Sequence, residues 1–168
     1  RAYCLKNQQD TLSMYGDWAA TYDQTMKDHD YQSPRRIVEA LLRHCADKSV
    51  AIFDVGCGTG LSGMALAKAG FTQIDGSDVS PEMIEIARQL PGVYRQLTRV
   101  TLDDPFPFPD GVYQVITAMG VIADQHAPPR TIGRLLDKLH TGGLLIFSLN
   151  NHTLENPDYL QACHDAVT

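Results

Sequence analysis

The sequence predicts an α/β fold in which a mostly parallel sheet carries helices on both faces. Short apolar runs typical of strands alternate with helical patterns from residue 33 onwards. Such alternation requires right-handed crossovers between parallel strands. Three glycines, Gly56, Gly58 and Gly60, follow the first apolar run and precede a helical pattern. Because ligands of such sheets bind at the carboxyl ends of the strands, this loop is the first candidate site.

Each predicted element has a boundary signal or an apolar run. Ser33-Pro34, Ser80-Pro81 and Asn156-Pro157 start helices, because a capping side chain precedes a proline that fits the first turn. Gly70 ends a helix as its C-terminal cap, and apolar runs mark the strands. In chain order we expect helix over parts of 8–28, helix over 33–45, strand over 50–55, helix over 61–69, strand over 72–77, helix over 80–90, strand over 93–99, a proline-rich loop over 104–111, strand over 112–119, helix over 128–140, a turn over 141–143, strand over 144–149 and helix from 156.

Composition narrows the classes of partner. The 168 residues fit one domain, and 14 basic against 20 acidic residues give a formal charge of −6, which argues against nucleic acid as the main partner. Four cysteines without a C-x-x-C spacing indicate a reducing compartment, the cytoplasm. Six histidines without an H-x-x-x-H pattern favour no metal site. The longest strictly apolar run has four residues, 144–147, so we expect no membrane span.

The glycine loop suits an electron-rich ligand with hydrogen-bond donors. Glycine allows a sharp turn and lets a ligand lie against the main chain, and the next helix offers free N–H groups and a positive dipole. Asp54 ends the strand before the loop and adds a negative charge there. That charge repels a phosphate, but it favours a cation or a ligand rich in hydroxyl and amino groups.

A second acid marks the end of the second predicted strand. Asp78 lies 24 residues after Asp54, in the segment GSDVS. An acid at this place can accept hydrogen bonds from both hydroxyls of a ribose. The plain alternative is an aspartate near a helix start that interacts with the helix dipole. Together with the glycine loop, the spacing favours the ribose.

At this point the chain resembles the class I S-adenosylmethionine (SAM)-dependent methyltransferases, and within them the subgroup similar to the methyltransferase-like protein of the Williams–Beuren chromosome region. The resemblance extends over about residues 14–150. It rests on five segments: YGDWAATYD, DVGCGTG, GSDVSPEMIEIAR, DDPFPFPDGVYQVI and GRLLDKLHTGGLLIFS. It implies a Rossmann-like three-layer sandwich with an N-terminal helical cap and SAM as the cofactor.

The resemblance also implies which residues contact the cofactor. The implied contacts are, for the methionine part, Tyr22, Asp54, Gly56, Cys57, Gly58 and Gly60; for the ribose, Asp78; for the adenine, Val79, Met83, Thr101 and Leu102; and below the cofactor, Met119, Gly120 and Val121. No catalytic residue is assigned. Asp124 and His126, just past the fourth strand, are placed to be considered as a general base.

The chain departs from the family pattern in several places. Many relatives carry an acid where this chain has Thr101 and Leu102, so recognition of the adenine amino group is open. Gln114 replaces a common aspartate, and Thr141 replaces the proline of a Pro-Gly-Gly turn. The family fold normally ends with a sixth and a seventh strand, for which residues 150–168 are too short. We therefore expect these strands to be missing.

Two alternatives to a methyltransferase remain open. Gly58, Gly60 and Gly63 match the dinucleotide motif G-x-G-x-x-G, and Asp78 lies 20 residues beyond Gly58. The first glycine of that motif directly follows a strand, and here Gly56 does so, which disfavours an NAD-binding oxidoreductase. The second alternative is a non-catalytic SAM-binding protein, which the short C-terminal segment favours slightly.

The sequence thus predicts a SAM-dependent methyltransferase that acts on a small-molecule acceptor. We expect a single domain over 1–168, with the helical cap over 1–46 and the Rossmann-like core over 47–168. The aromatic residues of the cap, Tyr15, Trp18, Tyr22 and Tyr31, suit a small organic acceptor. The alternative is that they pack the cap onto the sheet, which is favoured for Trp18. The acceptor and the oligomeric state do not follow from the residues.

Overall fold

The computed structural model describes residues 32–101 and 103–167. The helix expected within 8–28 and the aromatic residues of the first 31 positions lie outside them. The helices, numbered in chain order, are α1 (Ser33–His44), α2 (Leu61–Lys68), α3 (Pro81–Arg88), α4 (Arg130–Lys138), α5 (Asn151–Glu155) and α6 (Pro157–Asp165). The strands are β1 (Ala51–Val55), β2 (Gln73–Asp78), β3 (Leu97–Arg99), β4 (Tyr113–Ala118) and β5 (Leu139–Phe147).

The five strands form one sheet in the order β3-β2-β1-β4-β5. All neighbouring strands are parallel, so the predicted α/β fold is confirmed. The chain builds outward from β1 to β3, and then returns to the other side of β1 with β4 and β5. The strand order therefore reverses between β1 and β4, where open α/β sheets form a crevice at their carboxyl ends.

The two faces of the sheet have separate hydrophobic cores. Alternate residues of a strand point to opposite faces. Ile52 belongs to the core that contains Leu66 of α2, and we call this side the α2 face. Phe53 belongs to the core that contains Ile132 and Leu135 of α4, and we call that side the α4 face. Asp54 continues the pattern of Ile52, so its side chain enters the α2 face.

The helix boundaries follow the predicted signals with two differences, at the start of α1 and at α4. The helix expected over 128–140 is α4 (Arg130–Lys138), and residues 139–140 belong to β5 because they pair with β4. Ser80 caps α3, because its hydroxyl accepts a hydrogen bond from the Met83 N–H at 3.3 Å. At α1, Ser33 is the first helical residue and Gln32 holds the cap position without a side-chain hydrogen bond. The short helix α5 was not predicted, although Asn150 caps it by accepting a hydrogen bond from the Thr153 N–H at 2.8 Å. That asparagine, just after a strand, is a start signal in the sequence.

The turn expected over 141–143 lies inside β5. Tyr113 pairs with Leu139, whereas Val115 pairs with Leu144, so β5 holds extra residues there and bulges. Gly142 makes the bulge possible through its left-handed φ of +79°. A glycine that permits a turn also permits a bulge, and only the pairing with β4 decides between them.

Candidate functional site

A cavity lies at the carboxyl ends of β1, β2 and β4, where the strand order reverses. It has about 880 Å³ of space between atoms, which includes open solvent at its mouth. The wall combines main chain of the strand ends with side chains of the loops that follow. It consists of Val55, Gly56, Gly58, Ser77, Asp78, Val79, Met83, Val100, Thr101, Phe106, Met119, Gly120, Val121, Gln125, His126 and Thr131.

Most of the residues expected to contact the cofactor lie on this wall. They are Gly56, Gly58, Asp78, Val79, Met83, Thr101, Met119, Gly120 and Val121. Three others, Asp54, Cys57 and Gly60, are not part of the wall. Tyr22 and Leu102 lie outside the described residues. The structure therefore brings together two strand-end segments, the third-strand region and the β4 end at one cavity, as the topology predicts.

The loop between β1 and α2 presents its main chain to the cavity. Gly56 and Gly58 have φ values of +61° and +56°, which other residues rarely adopt. A Cβ on Gly56 would lie 2.2 Å from Cγ2 of Val121, so this glycine allows a close approach of the two loops. A Cβ on Gly58 would meet nothing within 4 Å. Gly58 thus leaves open space beside the main chain, which a ligand can fill.

Asp78 joins this loop to the start of α3. Its Oδ2 accepts a hydrogen bond from the Gly58 N–H at 2.9 Å, and its Oδ1 accepts one from the Ser80 N–H at 2.9 Å. Burial raises the pKa of Asp78, and the two main-chain N–H groups act against that rise. Each carboxylate oxygen has two lone pairs. Asp78 can therefore accept further hydrogen bonds from hydroxyl groups in the cavity.

Asp54 is not part of the cavity wall, and its expected contact with the cofactor stays a prediction. Its carboxylate is completely buried on the α2 face. Oδ2 accepts hydrogen bonds from the Ser62 hydroxyl at 2.6 Å and the Tyr94 hydroxyl at 2.8 Å, and Oδ1 accepts one from the Thr117 hydroxyl at 2.7 Å. Burial raises the pKa of Asp54, and the three hydroxyls act against the rise. We call these four residues the Asp54 centre.

Cys57 and Gly60 also face the protein rather than the cavity. Cys57 is buried, its N–H donates to the Ser77 carbonyl oxygen at 2.8 Å, and burial raises the pKa of its thiol. It is therefore a small residue that fits the loop, not a reactive thiolate. A Cβ on Gly60 would lie 2.4 Å from Cδ1 of Leu90. Gly60, whose φ is +100°, thus serves the packing of α3 against the start of α2.

Tyr94 is the residue of this region that sequence reasoning missed. Its ring covers Gly63, where a Cβ would lie 2.2 Å from the tyrosine oxygen. Gly63 is the third glycine of the apparent dinucleotide motif. It lies within α2 and makes room for Tyr94 instead of approaching a ligand. The position of Gly63 inside a predicted helix could have shown this. Glycine lowers the stability of a helix, so its presence there indicates that close packing requires it.

The third-strand side of the cavity is apolar. Val79 and Met83 line it with Val100 and Phe106, and the Arg134 guanidinium lies over the Phe106 ring at 5.4 Å. Phe106 comes from the proline-rich loop, a segment without a predicted site role. Apolar walls of this kind suit an aromatic ring. Position 101 carries a threonine and not an acid, so no carboxylate at that position can bind the adenine amino group.

The loop after β4 closes the opposite side. Gln125 is in the left-handed region, with φ +66°, and it lines the cavity together with His126. Burial lowers the pKa of His126, so its ring is neutral at neutral pH. Asp124, the other candidate for a general base, is not on the wall. Its Oδ1 accepts a hydrogen bond from the Asn156 side chain at 3.1 Å.

Two classes of site lack support in the described part of the chain. Across residues 32–101 and 103–167, no group of three or more His, Cys, Asp or Glu side chains is arranged to hold a metal ion. Within the same ranges, every helix is too short or too polar to cross a membrane.

Comparisons with known proteins identify this chain as similar to methyltransferases. The family described as "Methyltransferase domain" matches residues 26–168. Human Methyltransferase-like protein 27 is 34% identical over 171 aligned positions, which cover 99% of this chain and 69% of that protein. Against other curated relatives the chain spans about half of their length, 58% of one and 44% of another.

Solved structures share the fold. The 4+2 cyclase SpnF has a TM-score of 0.74 at 20% identity, covering 96% of this chain and 73% of that chain. Magnesium protoporphyrin IX methyltransferase (ChlM) from Synechocystis PCC 6803, solved with bound SAM, has a TM-score of 0.68 at 19% identity, covering 97% of this chain and 86% of that chain. At such identities the likeness concerns the fold alone.

Proposed function

This chain belongs to the SAM-dependent methyltransferase family, and on this premise we propose that it transfers a methyl group from SAM to a small organic acceptor. The cofactor would lie in the cavity at the carboxyl ends of β1, β2 and β4. The glycine loop would hold its methionine part, Asp78 its ribose, and the apolar third-strand side its adenine.

One arrangement above all supports this activity: the Asp78 carboxylate lies beside the open main chain of Gly58. The two groups are joined by a hydrogen bond of 2.9 Å, and both line the cavity. A carboxylate here can accept hydrogen bonds from ribose hydroxyls. The arrangement fits a nucleoside, and the family to which the chain belongs favours SAM over NAD.

The residues of the chain contribute position and exclusion of water. When bound, SAM supplies a methyl group that its sulfonium already makes electrophilic. Holding reactants in line can supply about 7–11 kcal/mol of the barrier in favourable cases. Met119 and Val121 at the end of β4 and Val55 at the end of β1 line the cavity with apolar side chains, which disfavour water there.

A small acceptor is supported by the open mouth of the cavity and by one neighbour in structure. ChlM is a magnesium protoporphyrin IX methyltransferase, so the same fold can serve a small organic acceptor. The residues before Gln32, in which the sequence predicts an aromatic cap, would complete the acceptor side. The methylated atom follows from neither the wall nor the comparisons.

Isothermal titration of the whole chain with SAM, S-adenosylhomocysteine and NAD tests the proposal. We expect the first two to bind and NAD not to bind. Transfer of an isotope-labelled methyl group to extracted small molecules is then measured. Saturable SAM binding without transfer to any acceptor would support a non-catalytic SAM-binding protein, and NAD binding alone would overturn the assignment.

A matched pair of variants tests the ribose contact. Asp78→Ala should weaken SAM binding at least tenfold, about 1.4 kcal/mol, because it removes the acceptor on the cavity wall. Asp137→Ala on α4, where the aspartate is exposed, should leave the dissociation constant unchanged. Equal affinities in two folded variants would refute the role of Asp78.

A further inference from the structure

We propose that Tyr94 is a positioning residue that holds the glycine loop in its ligand-binding conformation, acting through the carboxylate of Asp54. Tyr94 is not part of the cavity wall. It contacts the framework behind the loop, so its effect on a ligand must be transmitted. The inference rests on the proposed function only in that SAM is the ligand used to test it.

The ring of Tyr94 occupies a slot that three glycines leave open. A Cβ on Gly63 would lie 2.2 Å from the tyrosine oxygen, and one on Gly76 would lie 2.9 Å from Cε1 of the ring. A Cβ on Gly60, at the end of the loop, would lie 3.3 Å from Cε2. The loop, α2 and β2 thus all lack side chains where the ring lies. A slot built from three elements indicates a specific position for this tyrosine.

The hydroxyl of Tyr94 completes a junction close to the start of the loop. Asp54 is the last residue but one of β1, and its carboxylate accepts hydrogen bonds from Ser62 of α2, Thr117 of β4 and Tyr94. The glycine loop lies between Asp54 and Ser62. The junction therefore fixes both ends of the loop relative to β4 and to the segment after α3.

The main chain of the loop also makes hydrogen bonds of its own. The Gly58 N–H donates to Asp78, the Cys57 N–H donates to Ser77, and the Gly60 N–H donates back to Cys57. Two of these bonds connect it to β2, and the third is internal. Loss of the Tyr94 hydroxyl leaves Asp54 with two donors and loosens α2 relative to β1. The main-chain amides of the glycine loop then spend more time away from the positions in which they face the cavity.

The same molecule offers a matched control on the other face of the sheet. The Tyr113 hydroxyl donates to Oδ2 of the buried Asp75 at 2.7 Å, much as Tyr94 donates to Asp54 at 2.8 Å. Neither Tyr113 nor Asp75 lines the cavity. Tyr94→Phe and Tyr113→Phe therefore each remove one hydroxyl from a buried carboxylate and keep the ring, but only the first acts on the loop.

The experiment compares these two variants of the whole chain by three measurements. Both should lower the melting temperature by a similar amount, about 3 °C. Tyr94→Phe should raise the dissociation constant of SAM about fivefold, the equivalent of one hydrogen bond, whereas Tyr113→Phe should stay within about twofold. Without ligand, hydrogen–deuterium exchange of a peptide covering 54–62 should be faster in Tyr94→Phe alone.

The outcomes separate this inference from the proposed function. If the parent chain binds no SAM, the proposed function fails, while the exchange measurement still tests the positioning role. If the parent binds SAM and both variants change affinity and exchange equally, Tyr94 has a structural role only and the inference is wrong. Unchanged exchange over 54–62 in Tyr94→Phe would also overturn it.

Discussion

Asp54 and Asp75 are buried carboxylates on adjacent strands and on opposite faces of the sheet. Their hydrogen-bond partners differ in charge. Asp54 accepts hydrogen bonds from three hydroxyls, and these described contacts carry no charge. Asp75 forms a bidentate pair with Arg95, at 3.1 and 2.7 Å, and accepts a third bond from Tyr113. We call the residues around Asp75 the Asp75 centre. The Arg95 side chain is 43% exposed, whereas Asp54 is inaccessible.

The difference shows how one short segment serves both centres. Tyr94 and Arg95 are consecutive, and their side chains bind carboxylates on opposite faces of the sheet. The main chain of Arg95 already pairs with β2, through its N–H and the Ile74 carbonyl oxygen at 2.8 Å. The segment therefore sends a neutral donor to the centre behind the cavity and a cation to the centre remote from it. A fixed cation behind the glycine loop would oppose binding of the positively charged SAM.

The largest effect should come from filling the slot of Tyr94. Gly63→Ala places a Cβ 2.2 Å from the tyrosine oxygen and should lower the free energy of unfolding by about 1–3 kcal/mol, the usual cost of overpacking. In the matched variant Gly133→Ala on α4, the Cβ meets nothing within 4 Å. There the intrinsic preference for alanine should raise stability by up to about 1 kcal/mol.

Urea denaturation at one pH measures both glycine variants. Opposite signs would show that the Asp54 centre depends on the position of the Tyr94 ring. A stabilising Gly63→Ala would mean that Tyr94 leaves the slot without cost. The Asp54 centre would then not depend on the position of the Tyr94 ring.

A smaller effect should appear at the Asp75 centre and depend on salt. Arg95→Gln removes the partner of a buried carboxylate and should cost about 1 kcal/mol in dilute buffer. The cost should shrink in about 1 M NaCl, where charges are screened within a few ångström. The loss caused by Tyr94→Phe should be the same at both salt concentrations, because the described partners of the Asp54 carboxylate are uncharged hydroxyls.

The control for this comparison is Arg88→Gln. Arg88 and Glu85 form an exposed pair at 3.4 Å, so its loss should change the unfolding free energy very little. Denaturant titrations at low and high salt measure all three variants. A salt-independent cost of Arg95→Gln would show that packing of the Arg95 stem, rather than its charge, stabilises the Asp75 centre.

The smallest effect should be a pH dependence that belongs to the Asp54 centre. Burial raises the pKa of Asp54 above the ordinary value of 3.8, so the unfolded chain loses this proton at a lower pH than the folded chain does. The contribution of Asp54 to stability is therefore complete below about pH 3.8 and declines as the pH rises through the raised pKa. Asp78 has the same sign and is present in parent and variant alike.

The difference in unfolding free energy between the parent and Asp54→Asn isolates the pH-dependent contribution of Asp54 to stability. From acidic to neutral pH, the stability of the parent should fall relative to that of Asp54→Asn. Asp47→Asn serves as the control of opposite sign, because hydrogen bonds from Ser49 lower the pKa of Asp47 and its contribution is lost as the pH falls. Parallel pH profiles of the two variants would contradict the assignment for Asp54.

Local sequence signals were sufficient for the fold and for much of the cavity. The apolar runs and capping pairs predicted strands in a mostly parallel sheet, which the structure confirms, whereas the strand order comes from the structure alone. Sequence reasoning located Gly56 and Gly58, which have positive φ, and the acid at the end of β2. It could do so because a ligand-binding loop and a ribose acceptor must each lie at the end of a strand, and the spacing in the sequence shows this. The contact roles of these residues with SAM stay predictions.

Pairwise relations over long distance could not be predicted in this way. The partners of Asp54 come from positions 62, 94 and 117, and the bulge of β5 depends on pairing with β4. Gln125 reaches the cavity wall with a left-handed φ, which no local signal indicates. Each of these features depends on which elements become neighbours.

The chain by itself thus determined its class of fold, the edge of the sheet where a ligand can bind and the acid placed there, because periodicity, glycine and strand ends are local properties of a polypeptide. Only the tertiary structure decided that Asp54 turns inward, that Gly63 makes room for a ring, and that Tyr94 and Arg95 serve opposite faces. Buried carboxylates take whatever donors the packing brings within hydrogen-bonding distance, and that proximity exists only once the sheet has formed.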